Sequence, residues 1–258
     1  MFPFFEIAGI FIPTYNIALA IGILAGATQL FFAARRKRVV LRFLADNFFT
    51  FLIVTLFCAR LGEILLHNYA WLDFFSLGSK SGGFNFFGGS IGFLVTLGVL
   101  TRKFNENFFV WLDLILLMVA VVLVFHHLGT FLAGSAYGIQ TMLPWGVTFT
   151  NPDAVGYSTI PIHPTQIYAA IVTLVFFVTA FFVFKNTTKA GKTGVFLLLT
   201  LSLAYFSLDF LRGDSAVVFG PLRASQYFTL TLAILAAALV VKMKQSAHEA
   251  RSGELDIN

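Results

Sequence analysis

The stretch FFVWLDLILLMVAVVLVFHHL, residues 108–128, decides the fold class of this chain. It is almost entirely apolar, with one aspartate near its start and two adjacent histidines near its end. An α-helix rises about 1.5 Å per residue, so about 20 apolar residues cross the roughly 30 Å hydrocarbon core of a bilayer. This run is therefore predicted to be a transmembrane helix.

The composition extends that prediction to the whole chain. Of the 258 residues, 58% are hydrophobic and only 11% are charged, and 33 are phenylalanine. A soluble domain of this size has no interior large enough to hide so much apolar surface. The single cysteine, Cys58, excludes a disulfide framework within the chain and a cysteine-rich zinc site. We expect an all-α integral membrane protein.

Seven apolar runs are long enough to span a membrane. They cover about 14 to 34, 47 to 67, 84 to 101, 108 to 128, 165 to 184, 193 to 211 and 222 to 242. Thirteen of the 17 basic residues follow the first, third, fifth and seventh runs: Arg35, Arg36, Lys37, Arg38, Arg42, Arg102, Lys103, Lys185, Lys189, Lys192, Lys242, Lys244 and Arg251. By the positive-inside rule this face is the cytoplasm, so the N-terminus lies outside. The basic excess thus indicates topology, and no nucleic-acid partner is expected.

The same pattern predicts the domain organisation. Residues 1–244 form a single seven-span domain, and its longest connection, 129–164, lies on the outer face without a lysine or arginine. The first 13 residues lack the basic start and the cleavage site of a signal peptide, so the first span is expected to be retained. Residues 245–258 are predicted to form a polar cytoplasmic tail, frayed or disordered.

Four basic residues lie away from the cytoplasmic face: Arg60, Lys80, Arg212 and Arg223. Arg60 lies deep in the second span, where insertion scales give a cost of about 2.5–3.5 kcal/mol, so it needs a partner or a function. Glu63 is three residues further on and shares its helical face. An internal ion pair and a binding site for an anion both explain this arrangement.

The outer end of the sixth span repeats this pattern. Asp209 and Arg212 share a helical face, and Arg223 opens the last span with Gln226 nearby. One such cluster would fit anchoring of a helix end by long side chains. Clusters at the outer half of three spans favour a cavity for an anion, and the abundant anion of a bilayer is a phospholipid head group, which guanidinium groups bind bidentately.

Three histidines lie at the two ends of the predicted outer connection 129–164. His126 and His127 end the fourth span, and His163 precedes the fifth. A histidine at a membrane interface is commonly a hydrogen-bonded end residue, but it is also a candidate proton acceptor. The spacing does not match a helical metal motif such as H-E-x-x-H, so no metal site is predicted.

Six stretches, taken in order, resemble the prolipoprotein diacylglyceryl transferase family from about residue 10 to 240. They are IPTYNIALAIGILAG (12–26), CARLGEIL (58–65), GGFNFFGGSIG (82–92), HHLGTFLAGSAYG (126–138), HPTQIY (163–168) and YFSLDFLRGD (205–214). The fourth is most similar to the branch of the family whose signature ends Gly-Cys-Cys-Tyr-Gly. Six motifs in this order on seven spans make the resemblance specific.

The resemblance implies transfer of a diacylglyceryl group from phosphatidylglycerol to the lipobox cysteine of a preprolipoprotein, in the bacterial inner membrane and without a cofactor. This reaction needs cations for the departing phosphate and a base for the thiol, because the thiolate is the nucleophile. The implied catalytic residues are His127, His163 and Tyr15. The implied substrate-binding residues are Arg60, Glu63, Gly88, Gly89, Gln166, Tyr168, Asp209, Arg212 and Arg223.

The sequence also departs from the family's motifs at charged or polar positions. The departures are Phe87 for a histidine, His127 and Tyr205 for arginines, Thr130 for an asparagine, and Ser135, Ala169 and Asp209 for glutamates. The alternative function is therefore a catalytically impaired paralogue that binds phospholipid or lipoprotein without transfer. A small-solute transporter is a third hypothesis, which the lack of a visible internal repeat disfavours.

Overall fold

The helices of the computed structural model follow the predicted spans. The structure describes residues 2–7, 9–67, 74–75, 83–214 and 217–255. Its helices are α1 (Thr14–Lys37), α2 (Arg42–Asp46), α3 (Phe48–His67), α4 (Phe86–Lys103), α5 (Phe108–Ala133), α6 (Thr165–Asn186), α7 (Lys192–Leu208) and α8 (Ala224–Leu255). A 3-10 helix, Asp209–Leu211, follows α7. Short strands form two antiparallel hairpins: β1 (Phe4–Ile7) with β2 (Ile10–Pro13), and β3 (Val217–Phe219) with β4 (Leu222–Arg223).

Six helices among the described residues are long and apolar enough to cross a membrane: α1, α3, α5, α6, α7 and α8. The helix at the third predicted span, α4, is not among them. Its 18 residues include four glycines and end in Arg102 and Lys103, which lower its hydropathy. Large apolar side chains such as Leu24, Phe49 and Ile53 are exposed along the spanning helices, as lipid-facing positions require. The chain is thus an all-α, multi-pass membrane protein.

Two helix ends differ from the sequence prediction. Helix α5 runs past the predicted end at residue 128 to Ala133. Helix α8 continues through the polar residues that follow the last span and ends at Leu255, where the sequence predicted a frayed or disordered tail. Helix formation needs no apolar face at these positions, because the added residues include good helix formers such as alanine, glutamate and arginine.

The chain divides into two compact units. One unit comprises Ala34–Trp111 and is called the 34–111 unit. The other, called the large unit, comprises Met1–Ala33 together with Leu112–Asn258. The boundaries between the two units fall inside α1 and near the start of α5.

Small residues bring α3 and α4 close together in the 34–111 unit. A Cβ atom on Gly88 would fall against the carbonyl oxygen of Cys58, and one on Gly92 would lie 2.6 Å from the Cβ atom of Cys58. Asn85 caps α4, since its Oδ1 accepts hydrogen bonds of 3.0 Å from the backbone N–H groups of Phe87 and Gly88. The glycine-rich motif therefore makes a close helix crossing, as small residues do in membranes.

Glycines play the same part between α1 and α5 in the large unit. A Cβ atom on Gly22 would lie 2.7 Å from the Cβ atom of Phe125, and one on Gly129 would lie 3.0 Å from the Cβ atom of Ala18. Helix α7 contacts both α6 and α8. These contacts hold the ends of α1, α5, α6 and α7 where the polar side chains of the large unit meet.

The connection between α5 and α6 is an ordered loop with a small core of its own. Phe149, Ala154 and Ile162 are buried together at its centre. The backbone of Ile162 forms antiparallel bridges with both Gln140 and Val147. This loop therefore holds its shape without a long strand, and it brings the segment before α6 alongside residues that follow α5.

Asp113 ties α5 to the start of α7. Its side chain is buried, and its two carboxylate oxygens accept hydrogen bonds from the backbone N–H groups of Gly191 at 2.8 Å and Gly194 at 2.6 Å. A carboxylate at a helix N-terminus satisfies N–H groups that have no partner within the helix. Gly191 has a φ of 84°, a left-handed conformation that glycine adopts without strain.

Replacement of Asp113 by alanine is expected to destabilise the fold by about 2–4 kcal/mol, because two buried N–H groups lose their acceptor. Unfolding of the purified protein in detergent measures this change. The matched control is Asp153→Ala, which removes an exposed carboxylate of the loop between α5 and α6 and should change stability by less than about 0.5 kcal/mol. Equal stability of the two variants would contradict the capping role of Asp113.

Candidate active site

Two histidine–tyrosine hydrogen-bonded pairs lie side by side in the large unit and form one cluster. The rings of His126 and His127, near the end of α5, lie 5.0 Å apart. His126 Nδ1 is 3.1 Å from the hydroxyl of Tyr15 on α1, and His127 Nε2 is 2.9 Å from the hydroxyl of Tyr205 on α7. All four side chains are half-buried. The structure thus places Tyr15 and His127, two of the predicted catalytic residues, in one cluster.

The cluster continues from Tyr205 into α6. The hydroxyl of Tyr205 is 2.6 Å from the hydroxyl of Thr173, which in turn donates to the carbonyl oxygen of Ala169 at 2.6 Å. Thr173 is fully buried. His127, Tyr205 and Ala169 are three of the positions at which the sequence departs from the family's charged residues. They lie along a single chain of hydrogen bonds between uncharged groups.

His163 belongs to a second group, at the start of α6. Its Nδ1 lies 3.3 Å from the hydroxyl of Tyr168, and that hydroxyl accepts a hydrogen bond of 2.8 Å from the indole N–H of Trp145. Within the described ranges, no hydrogen bond joins His163 to His127. The structure therefore brings His163 and Tyr168 together, in a contact separate from that of His127 and Tyr205.

Gln166 connects α6 to the loop between α5 and α6. Its side-chain amide donates to the carbonyl oxygen of Ser135 at 2.6 Å, and the neighbouring Thr165 donates to the carbonyl oxygen of Ala136 at 2.7 Å. Gln166 is 1% exposed, yet its Oε1 has no hydrogen-bond partner among the described residues. A buried acceptor without a donor costs about 1–3 kcal/mol, so this oxygen is a place for a polar group of a ligand.

Arg212 follows the 3-10 helix and is held by two carboxylates. Its Nε and Nη2 donate to the two oxygens of Asp214 at 3.0 Å and 3.1 Å, and its Nη1 lies 3.5 Å from Oδ1 of Asp209. About 31% of its side chain is exposed, compared with 7% for Asp209. Arg212 is thus a cation that remains partly exposed beside two carboxylates.

Arg223 joins this group from β4. Its Nη2 donates to the carbonyl oxygen of Arg212 at 2.6 Å, and its backbone N–H donates to Oε1 of Gln226 at 2.9 Å. Gln226 is 1% exposed and donates to the carbonyl oxygen of Phe206 at 3.4 Å. The structure therefore brings Asp209, Arg212 and Arg223 together. Each guanidinium donates to an oxygen atom of this group or of a residue beside it.

The 34–111 unit contains the other predicted binding residues. Arg60 is 2% exposed, and it donates from Nε to the carbonyl oxygen of Phe74 at 3.0 Å and from Nη1 to that of Gly83 at 2.8 Å. Glu63 lies against the same segment, since a Cβ atom on Gly83 would be 2.9 Å from its Oε1. Arg60 therefore holds the segment before α4. Lys80 lies outside the described residues.

Gly88 and Gly89, the predicted binding glycines of that unit, are both contacts of α4 with α3. A Cβ atom on Gly89 would lie 3.3 Å from the Cβ atom of Ala59, and Gly88 has the backbone contact described above. At both positions a side chain would crowd α3, so these glycines allow the close packing of the two helices.

Sequence reasoning missed Thr173 and the two hydroxyl–histidine pairs. Thr173 is one of three threonines in the apolar helix α6, and most threonines in such helices only donate to a carbonyl one turn back, as Thr173 also does. Tyr205 was noted only as a departure from the family's arginine. One sequence feature does point to this group: at His127, Tyr205 and Ala169 alike, this chain has an uncharged residue type in place of a charged residue of the family motifs. Neighbouring positions in a fold are expected to change together in this way.

Comparison with known proteins gives the same family as the motifs. The family described as prolipoprotein diacylglyceryl transferase matches residues 3–242. The phosphatidylglycerol–prolipoprotein diacylglyceryl transferase of Clostridium tetani is 33% identical over 241 residues, 90% of this chain and 93% of the relative. The proteins of that name from Finegoldia magna and Rickettsia canadensis are 28% and 27% identical, covering 93% and 92% of this chain and 95% and 94% of the relatives. The chain therefore belongs to the prolipoprotein diacylglyceryl transferase family.

Proposed function

We propose that this protein transfers the diacylglyceryl group of phosphatidylglycerol to the lipobox cysteine of a preprolipoprotein. Membership of the family and the names of relatives that match nearly the whole chain support the reaction. The structural observation that carries the proposal is the hydrogen-bonded pair of His127 and Tyr205, in the same unit as the partly exposed guanidinium of Arg212. A proton acceptor and a phosphate ligand are the two groups that this reaction needs.

The proposal includes the position of the chain in the bacterial inner membrane. Residues 1–244 form a seven-span domain with α4 as the third span, the connection 129–164 lies outside, and residues 245–258 lie in the cytoplasm. The basic residues at alternate connections support this orientation. The histidine cluster then lies toward the outer end of α5, on the side from which a translocated preprolipoprotein presents its cysteine.

The reaction proceeds by displacement at carbon. His127 takes the proton of the cysteine thiol. The thiolate then attacks the carbon of the diacylglyceryl group that is bonded to the phosphate oxygen. The carbon–sulfur bond forms as the carbon–oxygen bond breaks, and the electron pair leaves with the oxygen. The products are a thioether and glycerol phosphate, which has gained one negative charge and can take the proton back from the imidazolium.

The cationic side chains hold the phosphate as this charge develops. Arg212 and Arg223 are the proposed ligands in the large unit, since guanidinium groups bind phosphate oxygens in pairs. In the 34–111 unit, Arg60 and Glu63 are proposed to bind the substrate. Gly88 and Gly89 are proposed to do so as well, besides their role in helix packing. In the large unit, Tyr15 and His163 are proposed as further catalytic residues. The further proposed substrate-binding residues there are Gln166, Tyr168 and Asp209.

Asp214 competes with the lipid phosphate for Arg212. It occupies both Nε and Nη2 of the guanidinium, the same edge that a phosphate would use. Asp214→Asn is expected to lower the KM for phosphatidylglycerol about two- to tenfold, because the neutral amide binds the guanidinium more weakly than a carboxylate does. Initial rates over a range of lipid concentrations in mixed micelles measure it. An unchanged or raised KM would show that Asp214 instead orients Arg212 for the substrate.

A non-catalytic phospholipid-binding paralogue is the second candidate. The observation that favours it is the neutrality of the site, because Asp209 and Asp214 lie beside Arg212 and the His127 chain carries no fixed charge. Such a protein would bind phosphatidylglycerol vesicles and leave a lipobox peptide unmodified. The proposed transferase modifies the peptide under the same conditions.

Complementation tests the proposed function in cells. The chain is expressed in a bacterium depleted of its own transferase, and growth and lipoprotein mass are followed. We expect growth to be restored by the unmodified chain and by Thr179→Val, which alters an exposed threonine of α6. His127→Gln should reach the membrane in equal amount without restoring growth. Failure of the unmodified chain at normal membrane abundance would overturn the proposal.

A further inference from the structure

We propose that Tyr205 and Thr173 are positioning residues that fix the tautomer of His127, leaving its Nδ1 as the proton acceptor for the substrate thiol. This inference rests on the proposed function and assigns the atom that acts in it. It follows from counting the protons of three consecutive hydrogen bonds, which link His127, Tyr205, Thr173 and the carbonyl oxygen of Ala169.

The count begins at the carbonyl end. The carbonyl oxygen of Ala169 can only accept, so the 2.6 Å contact with Thr173 Oγ1 uses the single hydroxyl proton of Thr173. Thr173 must then accept in its 2.6 Å contact with Tyr205, and the phenol proton of Tyr205 points to Thr173. Both protons are committed away from His127.

The last link fixes the imidazole. The Tyr205 oxygen has no proton left for His127, so in their 2.9 Å contact the donor is the N–H at Nε2. A neutral imidazole carries one N–H, and with Nε2 protonated its Nδ1 holds the free lone pair. Within the part of the chain that the structure describes, no hydrogen bond reaches His127 Nδ1. The basic nitrogen of the ring is therefore left for a substrate.

The opposite direction of the chain is unfavourable. If Tyr205 donated to His127, the single proton of Thr173 would have to serve its contacts with both Tyr205 and the carbonyl oxygen of Ala169, and one of these contacts would lack a proton. Two oxygen acceptors would then face each other at 2.6 Å in a fully buried position. Buried acceptors without a donor are costly, so the sequence of donors from His127 to Ala169 is the stable one.

Three variants of Tyr205 and Thr173 are expected to differ in their effect on the His127 imidazole. Tyr205→Phe keeps the ring and removes the acceptor of the Nε2 proton, so the imidazole loses its restraint. Thr173→Val keeps the side-chain volume and frees the phenol proton of Tyr205, which can then donate to Nε2 and move the imidazole proton to Nδ1. Thr173→Ser keeps the hydroxyl and should preserve the original tautomer.

Nitrogen NMR of the detergent-solubilised, histidine-labelled protein tests the tautomer without any activity. The His127 signals are identified as those missing in His127→Gln. We expect a protonated Nε2 and an unprotonated Nδ1 in the unmodified protein and in Thr173→Ser, and a growing Nδ1–H fraction in Thr173→Val. An Nδ1–H tautomer in the unmodified protein would overturn the inference.

Kinetics test the consequence for transfer. In Tyr205→Phe and Thr173→Val we expect kcat to fall about 10- to 100-fold, part of the roughly 10²–10⁴-fold that a general base supplies, with the KM for lipid changed less than about twofold. Thr173→Ser should stay within about threefold of the unmodified protein. The matched control is Thr179→Val. It removes the same type of hydrogen bond, from the threonine hydroxyl to the carbonyl oxygen of Val175 one turn earlier, on an exposed face of α6.

The outcomes separate this inference from the proposed function. An unmodified protein that makes no thioether product fails as a transferase, whatever the tautomer of His127. Full transfer with unchanged kcat in both Tyr205→Phe and Thr173→Val overturns the positioning role and leaves the transferase in place. A loss of kcat that Thr173→Ser does not rescue would show that packing, and not the hydroxyl, matters at Thr173.

Discussion

His127→Gln is expected to lower the rate of thioether formation at pH 7 by about 10²–10⁴-fold, the range that a positioned general base supplies. Glutamine can still donate its amide N–H to Tyr205 and so keeps the contact across α5 and α7. It has no basic nitrogen, so the thiol stays protonated. Mass spectrometry of a lipobox peptide incubated with phosphatidylglycerol gives the rate.

The pH dependence of His127→Gln distinguishes a lost base from a damaged fold. A cysteine thiol has an ordinary pKa of about 8.5, so raising the pH toward 9 forms thiolate without a base. As the pH rises toward that pKa, the transfer rate of the variant should therefore increase about tenfold per pH unit, and its deficit relative to the unmodified protein should shrink by the same factor. The control is His163→Gln, which alters the contact with Tyr168. A large loss in His163→Gln with near-normal transfer by His127→Gln would identify His163 as the base.

Arg212→Gln is expected to lower transfer by about 10²–10³-fold, the loss that follows removal of one donor to a developing oxyanion. The phosphate gains a negative charge as the carbon–oxygen bond breaks, and a guanidinium stabilises this charge with two parallel hydrogen bonds. Arg212→Lys keeps the charge but not the paired donors, so it should recover only part of the rate. Single-turnover rates at saturating lipid separate this effect from binding.

The Arg212 defect should be independent of pH, unlike that of His127→Gln. Burial alone lowers the pKa of Arg212, but the hydrogen bonds and charges of Asp214 and Asp209 outweigh it and raise the pKa above the ordinary arginine value. The guanidinium therefore stays charged at any pH used for the assay. Arg42→Gln is the matched control, since it breaks an exposed ion pair with Asp46 in the 34–111 unit. Equal losses in Arg42→Gln and Arg212→Gln would contradict a specific role.

The membrane fold could be predicted from the sequence because hydrocarbon thickness leaves little choice of structure. A run of about 20 apolar residues must satisfy its backbone groups internally, and only a helix does so. Helices α1, α3, α5, α6 and α7 accordingly begin within about two residues of the predicted positions. The short hairpins, the folded loop around Phe149 and the extension of α8 have no comparable constraint, and the sequence did not predict them.

The candidate site was predictable in its residue types and not in its contacts. A histidine or arginine in an apolar span is costly wherever it lies, so His127, Arg60 and Arg212 stood out from the sequence alone. Their partners depend on the tertiary fold. His127 and Tyr205 are 78 positions apart, and Arg60 donates to carbonyl groups of Phe74 and Gly83, which carry no side-chain signal.

The proposed transfer is measured by the mass of a lipobox peptide after incubation with the purified protein and phosphatidylglycerol. We predict that the peptide gains one diacylglyceryl group through a thioether and that one glycerol phosphate is released for each modified peptide. His127→Gln should form both products about 10²–10⁴-fold more slowly at pH 7. An unmodified peptide, under conditions in which the Clostridium tetani relative lipidates it, would contradict the account.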